Sequence, residues 1–366
     1  MNYSAPLLLR SRCVHHQAVW SKARPLFREE TSPNQRQRNS AGSSASVEKS
    51  SKKHSKFDFK NKKLVRNKPN DKAADEGGVL DKSNMNIRKR FRKTDVEINE
   101  VTAEKMVLYK DRDIIALNKP SGIAVHSGPK MKNDLSHYLH YWQESGHELP
   151  ELAHRLDKDT SGVLLLTRHT DAARRLAQLF KERGIVKKYW TITFGVPDHL
   201  EGVIQIPLST RNIAANGNMT RVVLRVDKMA AHNPSTVGKT LPGGVAMAET
   251  EYSVLSVCSL APKRCCLMEV TPVTGFKHQI RVHLADGLTC PILGDHKFAG
   301  PVLRASPNLK KRVEAISKTS HLHLHAREIV IPGYLASTGK PLVIKAPLPG
   351  YFIKTSKEQG LHVNVS

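Results

Sequence analysis

From about residue 101 onward the sequence predicts a folded domain that mixes β-strands with a few helices, and three observations carry that expectation. Apolar residues fall mainly in short runs, Val107-Leu108-Tyr109, Ile114 to Leu117, Val163 to Thr167, Val186 to Phe194, Glu249 to Val257 and Arg264 to Val270. These have the length and β-branched character of strands. Three other stretches carry apolar groups at helical spacing, two of them behind residues that can cap a helix. Before residue 100, by contrast, the chain is polar, serine-rich and lysine-rich, and it cannot bury enough apolar surface to offset its ordering entropy.

Composition narrows the function classes. The 366 residues hold 58 Lys and Arg against 33 Asp and Glu, a net charge of +25, with 39% hydrophobic residues. That imbalance calls for a polyanionic partner, either nucleic acid or an anionic membrane surface. No stretch approaches the roughly 18 apolar residues that span a bilayer, so no membrane span is expected and a membrane role has little support beside nucleic acid. Cys13, Cys258, Cys265, Cys266 and Cys290 form no Cys-x-x-Cys pair, so free thiols in a reducing compartment are expected. On a strand, the adjacent Cys265 and Cys266 would point to opposite faces.

Taken in order, the first segment has Arg10, Arg12, Lys22, Arg24 and Arg28 among Leu7-Leu8-Leu9, Val19-Trp20 and Leu26-Phe27, with no acid before Glu29. Cations without acids on an amphipathic frame are what mitochondrial import requires, so residues 1–40 are expected to be a transit peptide and the protein to work in the mitochondrial matrix. Residues 41–100 are expected to be a disordered basic region. About half of the excess positive charge lies before residue 100, densest at Arg88-Lys89-Arg90-Phe91-Arg92-Lys93, and would attract phosphates without sequence preference. A nuclear address is the competing reading of the same cations.

In the folded part, residues 101–366, two short strands flank the polar turn Lys110-Asp111-Arg112-Asp113, and the loop signal Asn118-Lys119-Pro120-Ser121-Gly122 follows. Asn133 or Asp134 should cap a helix that carries Leu135, Tyr138, Leu139 and Trp142 on one face. Next comes His154-Arg155-Leu156-Asp157-Lys158-Asp159-Thr160-Ser161-Gly162. It is a dense set of polar groups directly before the buried run Val163 to Thr167, the setting in which a rigid element holds a functional loop. Thr170 or Asp171 should cap a second helix with Ala172, Leu176, Leu179 and Phe180 inward, stopped by Gly184. Alternation over Val186 to Phe194 puts Val186, Trp190, Ile192 and Phe194 on one face, and Lys187, Tyr189, Thr191 and Thr193 on the other. Tyr189 is then an aromatic ring on a polar face. Residues 212–245 read as a hairpin and a variable loop, and the strands after them as a pair.

His-Arg-Leu-Asp followed by Thr-Ser-Gly and a run of leucines resembles the central motif of the RluA-type pseudouridine synthases. Three more stretches match in the expected order: Asn118 to Gly122 with Val125-His126, the Lys-Lys-Tyr ending at Tyr189, and Thr274 to Ala285 running on to Gly294-Asp295. The resemblance spans about Met106 to Phe352. It implies an α+β pseudouridine synthase fold, with a mixed, largely antiparallel central sheet, flanking helices and an RNA cleft across its middle. It implies an enzyme that detaches uracil from C1′ of the ribose, rotates it and rejoins it through C5, with no cofactor and no metal.

By the same resemblance Asp157 is the catalytic nucleophile, or a base at the sugar, while Asp159 stands where the family does not require an acid. Tyr189, catalytic alongside Asp157 and Arg281, packs against the target base and would assist proton removal from C5, and Arg281 pairs with the catalytic aspartate. His154 and Arg155 join Tyr189 as substrate-binding residues. Helical spacing of Lys277, Arg281 and Leu284 agrees with an arginine projecting into the cleft. The chain departs from the bacterial pattern at Phe276, where arginine is usual, and at Lys277, where threonine is usual. The RNA is expected to be mitochondrial, ribosomal RNA first, with transfer and messenger RNA open, and mitochondrial ribosomes or RNA granules are compatible larger partners. A catalytically silent RNA-binding or ribosome-assembly factor on the same fold is the alternative, against which an intact Asp157, Tyr189 and Arg281 stand. His321-Leu322-His323-Leu324-His325 would place three imidazoles on one strand face, but no carboxylate or cysteine nearby completes a metal site, and core packing is the expectation.

Overall fold

A computed structural model of the chain describes residues 98–126, 134–212, 220–258, 265–299, 321–335 and 339–363. The expected transit peptide and nearly all of the basic region lie outside the described residues. The first described element is a short helix that the sequence reading did not anticipate, α1 (Glu100–Lys105). Asn99 caps it through a reciprocal pair of bonds with Thr102, which satisfies two amides that a helix start leaves open.

The strands follow as β1 (Val107–Lys110), β2 (Ile114–Lys119), β3 (Glu151–Leu152), β4 (Ser161–Thr167), β5 (Val186–Phe194), β6 (Glu201–Ile204), β7 (Leu208–Asn212), β8 (Thr220–Leu224), β9 (Thr240–Leu241), β10 (Val245–Ala246), β11 (Thr250–Val257), β12 (Cys265–Pro272), β13 (Leu324–Leu335) and β14 (Lys340–Lys345). Among the described residues ten of them form one sheet in the order β1-β2-β4-β13-β5-β12-β11-β6, with β14 on β13 and β3 on β4. A smaller sheet has the order β8-β7-β10-β9. Among the described residues only the β13–β4 pairing in these sheets is parallel, through His325 with Ser161 and Ala326 with Gly162. The architecture is therefore α+β with a mixed, largely antiparallel sheet, as expected.

Period-two patterning builds two layers on each half of the large sheet. From β2 and β4, Ile114, Ala116, Val163 and Leu165 face α2 (Thr170–Lys181), packing with its Leu176 and Leu179. Ile115, Leu117, Leu164 and Leu166 face the opposite side, against α1 and a 3-10 helix over Leu135–Trp142. Each fully buried leucine here contributes about 2–3 kcal/mol of transfer free energy. On the other half, Cys266, Met268 and Val270 pack with Ile280 and Leu284, while Cys265 and Leu267 pack with Phe352 of the C-terminal helix (Gly350–Glu358). The two cysteines do face opposite ways.

Local details differ from the sequence reading in physically clear ways. Asp134 caps the 3-10 helix as expected, but His169, not Thr170 or Asp171, caps α2, its Nδ1 accepting from the Ala172 amide at 3.3 Å. Gly184 does not supply the left-handed turn that ends this helix. Arg183 does, at φ 57°, and Gly184 donates its amide to the Leu179 carbonyl at 2.9 Å. The polar face of β5 is not a solvent face either, since Thr191 and Thr193 are fully buried. Alternation does hold before and on β13: His321, His323 and His325 lie on one face against Tyr351 and Phe352, while Leu322 and Leu324 pack into the core on the other. His323 and His325 are buried, with ring nitrogens against Leu293 O and Thr355 Oγ1, and against Ser161 Oγ and Ala346 O.

Candidate active site

The site forms where the sheet opens. β4 pairs with β13 only at its first two residues and then turns its free edge to β3 at Thr167 and Leu166. Between those pairings the Leu165 amide faces a gap, and His154 Nε2 accepts its hydrogen at 3.0 Å. Burial, then the charge of Lys187, pulls the His154 pKa down to about 4, so the ring is neutral and Nε2 is free to accept. The loop from His154 to Gly162 is thus pinned into the opening.

Gly162 makes the parallel contact geometrically allowed. Its φ is +109°, and a Cβ there would lie 2.2 Å from the Ala326 carbonyl oxygen. The constraint is close backbone approach rather than a turn. From the other side Lys119, fully buried, donates to the carbonyls of Pro120, Ile123 and Lys158 at 2.8, 2.9 and 3.0 Å. Burial pulls its pKa down to about 7. The Gly122 amide also donates to Lys158 O at 3.0 Å, and Ser121 Oγ to Asp159 O at 2.8 Å. The loop at residues 118–122 therefore clamps the backbone just after Asp157.

Asp157 leaves this frame with its side chain 21% exposed. Its Oδ2 accepts from Arg281 Nη1 at 3.3 Å, and its Oδ1 lies 3.9 Å from His278 Nε2. Arg281 stands on α3 (Gln279–Val282), a single turn that runs on as a π-helical turn over His283–Gly287. Lys277 precedes this helix and is exposed, so the helical spacing inferred for it does not hold. The helix starts at His278, in the left-handed region at φ 55°. A non-glycine residue held there stores strain of the kind found at functional sites. The His278 Nδ1 is buried and has no hydrogen-bond partner among the described residues, and burial pulls its pKa down to about 4 against the opposing charge of Asp157.

Asp295 is the residue that sequence reasoning passed over. Its side chain is 1% exposed and takes both remaining faces of the Arg281 guanidinium, Nε at 2.7 Å and Nη2 at 2.9 Å. Its Oδ1 also accepts the Lys297 and Phe298 amides, each at 3.0 Å. Burial works against the Arg281 charge, but Asp295 and then Asp157 outweigh it and raise the pKa. The two-pronged pair fixes the fork and leaves Nη1 for Asp157. The available signal was the Gly294-Asp295 dipeptide. Gly294 has φ +81°, and a Cβ there would lie 2.0 Å from His321 O, so it holds a tight turn behind the site.

Tyr189, on β5, lies where the two cores on the same side of the sheet meet. Burial, with the negative charge of Asp157, pushes its phenol pKa up, so the ring is neutral. Tyr189, Asp157, Arg281, His154 and Arg155 line one cleft of about 590 Å³, within the range of sites that enclose a small ligand. Arg155 is exposed at its edge, and Phe276 contributes to the wall. All five residues singled out from the sequence thus reach one cavity, with His154 engaged by the backbone of β4. Among the described residues no cluster of histidine, cysteine and carboxylate groups is arranged to hold a metal.

Comparison with known proteins fits this geometry. Residues 113–286 match the model of the RNA pseudouridylate synthase family. The mitochondrial pseudouridylate synthase RPUSD4 of Rattus norvegicus is 37% identical over 268 residues, covering 70% of each chain. The ribosomal large subunit pseudouridine synthase C of Rickettsia prowazekii is 32% identical over 266 residues, covering 72% of this chain and 75% of its own. Among solved structures, human RNA pseudouridylate synthase domain containing 4 superposes with a TM-score of 0.54 at 31% identity, covering 72% of this chain and 97% of that one. A cleft that brings an aspartate, an arginine and a tyrosine together at the opening of a mixed sheet, and relatives that share most of the folded chain, lead to one conclusion: the chain belongs to the RluA-type RNA pseudouridylate synthase family and is an RNA pseudouridine synthase.

Proposed function

We propose that Asp157 performs the chemistry and that the protein acts on mitochondrial RNA, ribosomal RNA first, in the matrix. The observation that carries the first part is the Asp157 carboxylate, open to the cleft and held 3.3 Å from an arginine whose other nitrogens are taken by Asp295. A carboxylate steadied on one oxygen keeps the other for the ribose. The target uridine leaves its stack to reach it, at an unstacking cost of a few kcal/mol. The N1–C1′ bond breaks, uracil turns, C5 bonds to C1′, and the proton from C5 is balanced by one gained at N1.

Tyr189 stacks on the detached base. A phenol whose pKa is pushed up stays protonated, so stacking fits it better than service as a resting base. Stacking on an aromatic face contributes about 1–3 kcal/mol per base. Arg155, exposed at the cleft edge, meets the RNA, while His154 is a positioning residue that holds the loop through Leu165. Residues 1–40 serve as the transit peptide, 41–100 as a basic region that adds phosphate attraction, and 101–366 as the catalytic domain. The relatives named mitochondrial support the address.

Two experiments test the reading. Asp157→Asn keeps size and much of the hydrogen bonding but removes the anion. Pseudouridine formation in single turnover should vanish while filter binding of the RNA at fixed salt persists, because affinity comes largely from phosphates elsewhere. Conversion near the unmutated rate would remove Asp157 from this role. Mapping pseudouridines in mitochondrial RNA with and without the protein identifies the uridine, and an unchanged map would overturn the mitochondrial assignment.

A further inference from the structure

Adjacent lysines on β5 live in opposite electrostatic settings. Lys188 lies 3.5 Å from Glu269 and 3.7 Å from Glu328, a cation with two counterions on one face of the sheet. Lys187, on the other face, lines the catalytic cleft. Its ammonium has no carboxylate paired with it among the described residues, and burial alone accounts for the lowering of its pKa. Its titratable neighbour is His154, which is neutral and which the Lys187 charge pushes further down. The Nζ sits beside the exposed backbone of Gly275, 4.0 Å from where a Cβ on that residue would be.

A cation taken from water without a partner costs free energy. Folding alone does not explain the retention of one on the wall of a catalytic cleft, next to a lysine that is fully paired. An arriving anion would supply what the protein withholds, and the substrate carries one at every nucleotide. The placement fits. Positions 187 and 189 project from the same strand face about 7 Å apart, comparable with the reach from a base to its own nucleotide's phosphate.

We propose that Lys187 is a substrate-binding residue whose ammonium receives an RNA backbone phosphate flanking the flipped uridine. The inference rests on the reading that Tyr189 and Asp157 hold that uridine. The ammonium acts as a compact point charge rather than a fork, and the phosphate enters past Gly275. Lys187 thereby sets the depth to which the nucleotide enters, and it binds any sequence equally.

The test uses the full-length protein and an RNA stem–loop around the mapped uridine, with a neutral methylphosphonate placed singly on the 5′ or the 3′ side of it. Lys187→Gln should weaken binding about 10- to 100-fold, the loss of one charge-assisted contact. It should also make the slope of log affinity against log salt shallower by about 0.7. One of the two methylphosphonates should impose the same loss on the unmutated protein and no further loss on Lys187→Gln, with KM affected more than the maximal rate. Lys187→Arg, which keeps the charge, should retain most of the affinity, and a melting temperature of the glutamine variant no lower than that of the unmutated protein certifies the fold, since the substitution removes an unpaired buried cation. Fully additive losses with both methylphosphonates, or an unchanged salt slope, would overturn the proposal. Asp157→Asn measured in parallel separates the two readings: its residual conversion would fail the nucleophile assignment, whereas phosphate coupling is read from binding and needs no chemistry.

Discussion

Asp295→Asn isolates what the buried arginine network contributes. The substitution preserves shape, and the amide oxygen it introduces can still accept the Lys297 and Phe298 backbone N–H groups. What disappears is the charge that faces Arg281 through two bonds of 2.7 and 2.9 Å. With side-chain exposures of 9% for Arg281 and 1% for Asp295, water screens this pair little. Breaking a buried pair from one side costs about 3–5 kcal/mol. Here Arg281 keeps a second, longer contact to Asp157, so the lower end, about 3 kcal/mol, is expected. For a domain of this size that corresponds to a melting temperature lower by about 6–12 °C. The relieved guanidinium is then free to turn towards Asp157, and a misplacement of about 1 Å at a reacting group can cost 10²-fold in rate. The assay pairs thermal melts with single-turnover conversion of the target RNA. A variant that melts and converts like the unmutated protein would refute the claim that Asp295 positions Arg281.

Other outcomes follow from particular contacts. Gly162→Ala must fit a Cβ 2.2 Å from Ala326 O at φ +109°. The strained backbone alone costs about 1–3 kcal/mol, so the β4–β13 junction should loosen, and hydrogen exchange at Leu165 and Ala326 should rise; unchanged protection would contradict the tight approach. Tyr189→Phe should retain most conversion and Tyr189→Ala should lose the roughly 1–3 kcal/mol of stacking, so equal defects in the two would assign the role to the hydroxyl instead. Burial pulls His154, His283, His323 and His325 down to about 4, whereas the unfolded chain titrates near 6.5. The unfolded state then binds more protons between those values, so this stability is complete above about pH 6.5 and lost as pH falls towards 4. Melting temperatures measured from pH 7 to 4.5 should decline accordingly, and a flat profile would mean that the imidazoles are not buried neutral.

Much of the large sheet was legible because its faces follow from spacing alone. Alternation assigns Leu164 and Leu166 to one core and Val163 and Leu165 to the other, whatever the rest of the chain does. The same rule separates Cys265 from Cys266, and Lys187 and Tyr189 from Trp190. The π-helical turn at His283 and the left-handed His278 have no such local signature, since strain of that kind is held by surrounding structure rather than by propensity.

Local patterning was enough for β1, β2, β4, β5, β11 and β12 though not for β3, β6 or β14, for the basic character that calls for RNA, and, through the motifs, for the three residues that meet in the cleft. How they meet is a property of the assembled fold. Asp157 and Arg281 are 124 positions apart, and no local spacing encodes a 3.3 Å contact between them. It arises because β4 parts from β13 and leaves an opening that the His154 loop fills, while a turn at Gly294 brings Asp295 behind the arginine. Backbone approach at Gly162, the clamp from Lys119 and the counterion of a buried guanidinium are all long-range facts. They depend on which elements become neighbours, and the periodicity of a single element cannot carry that information.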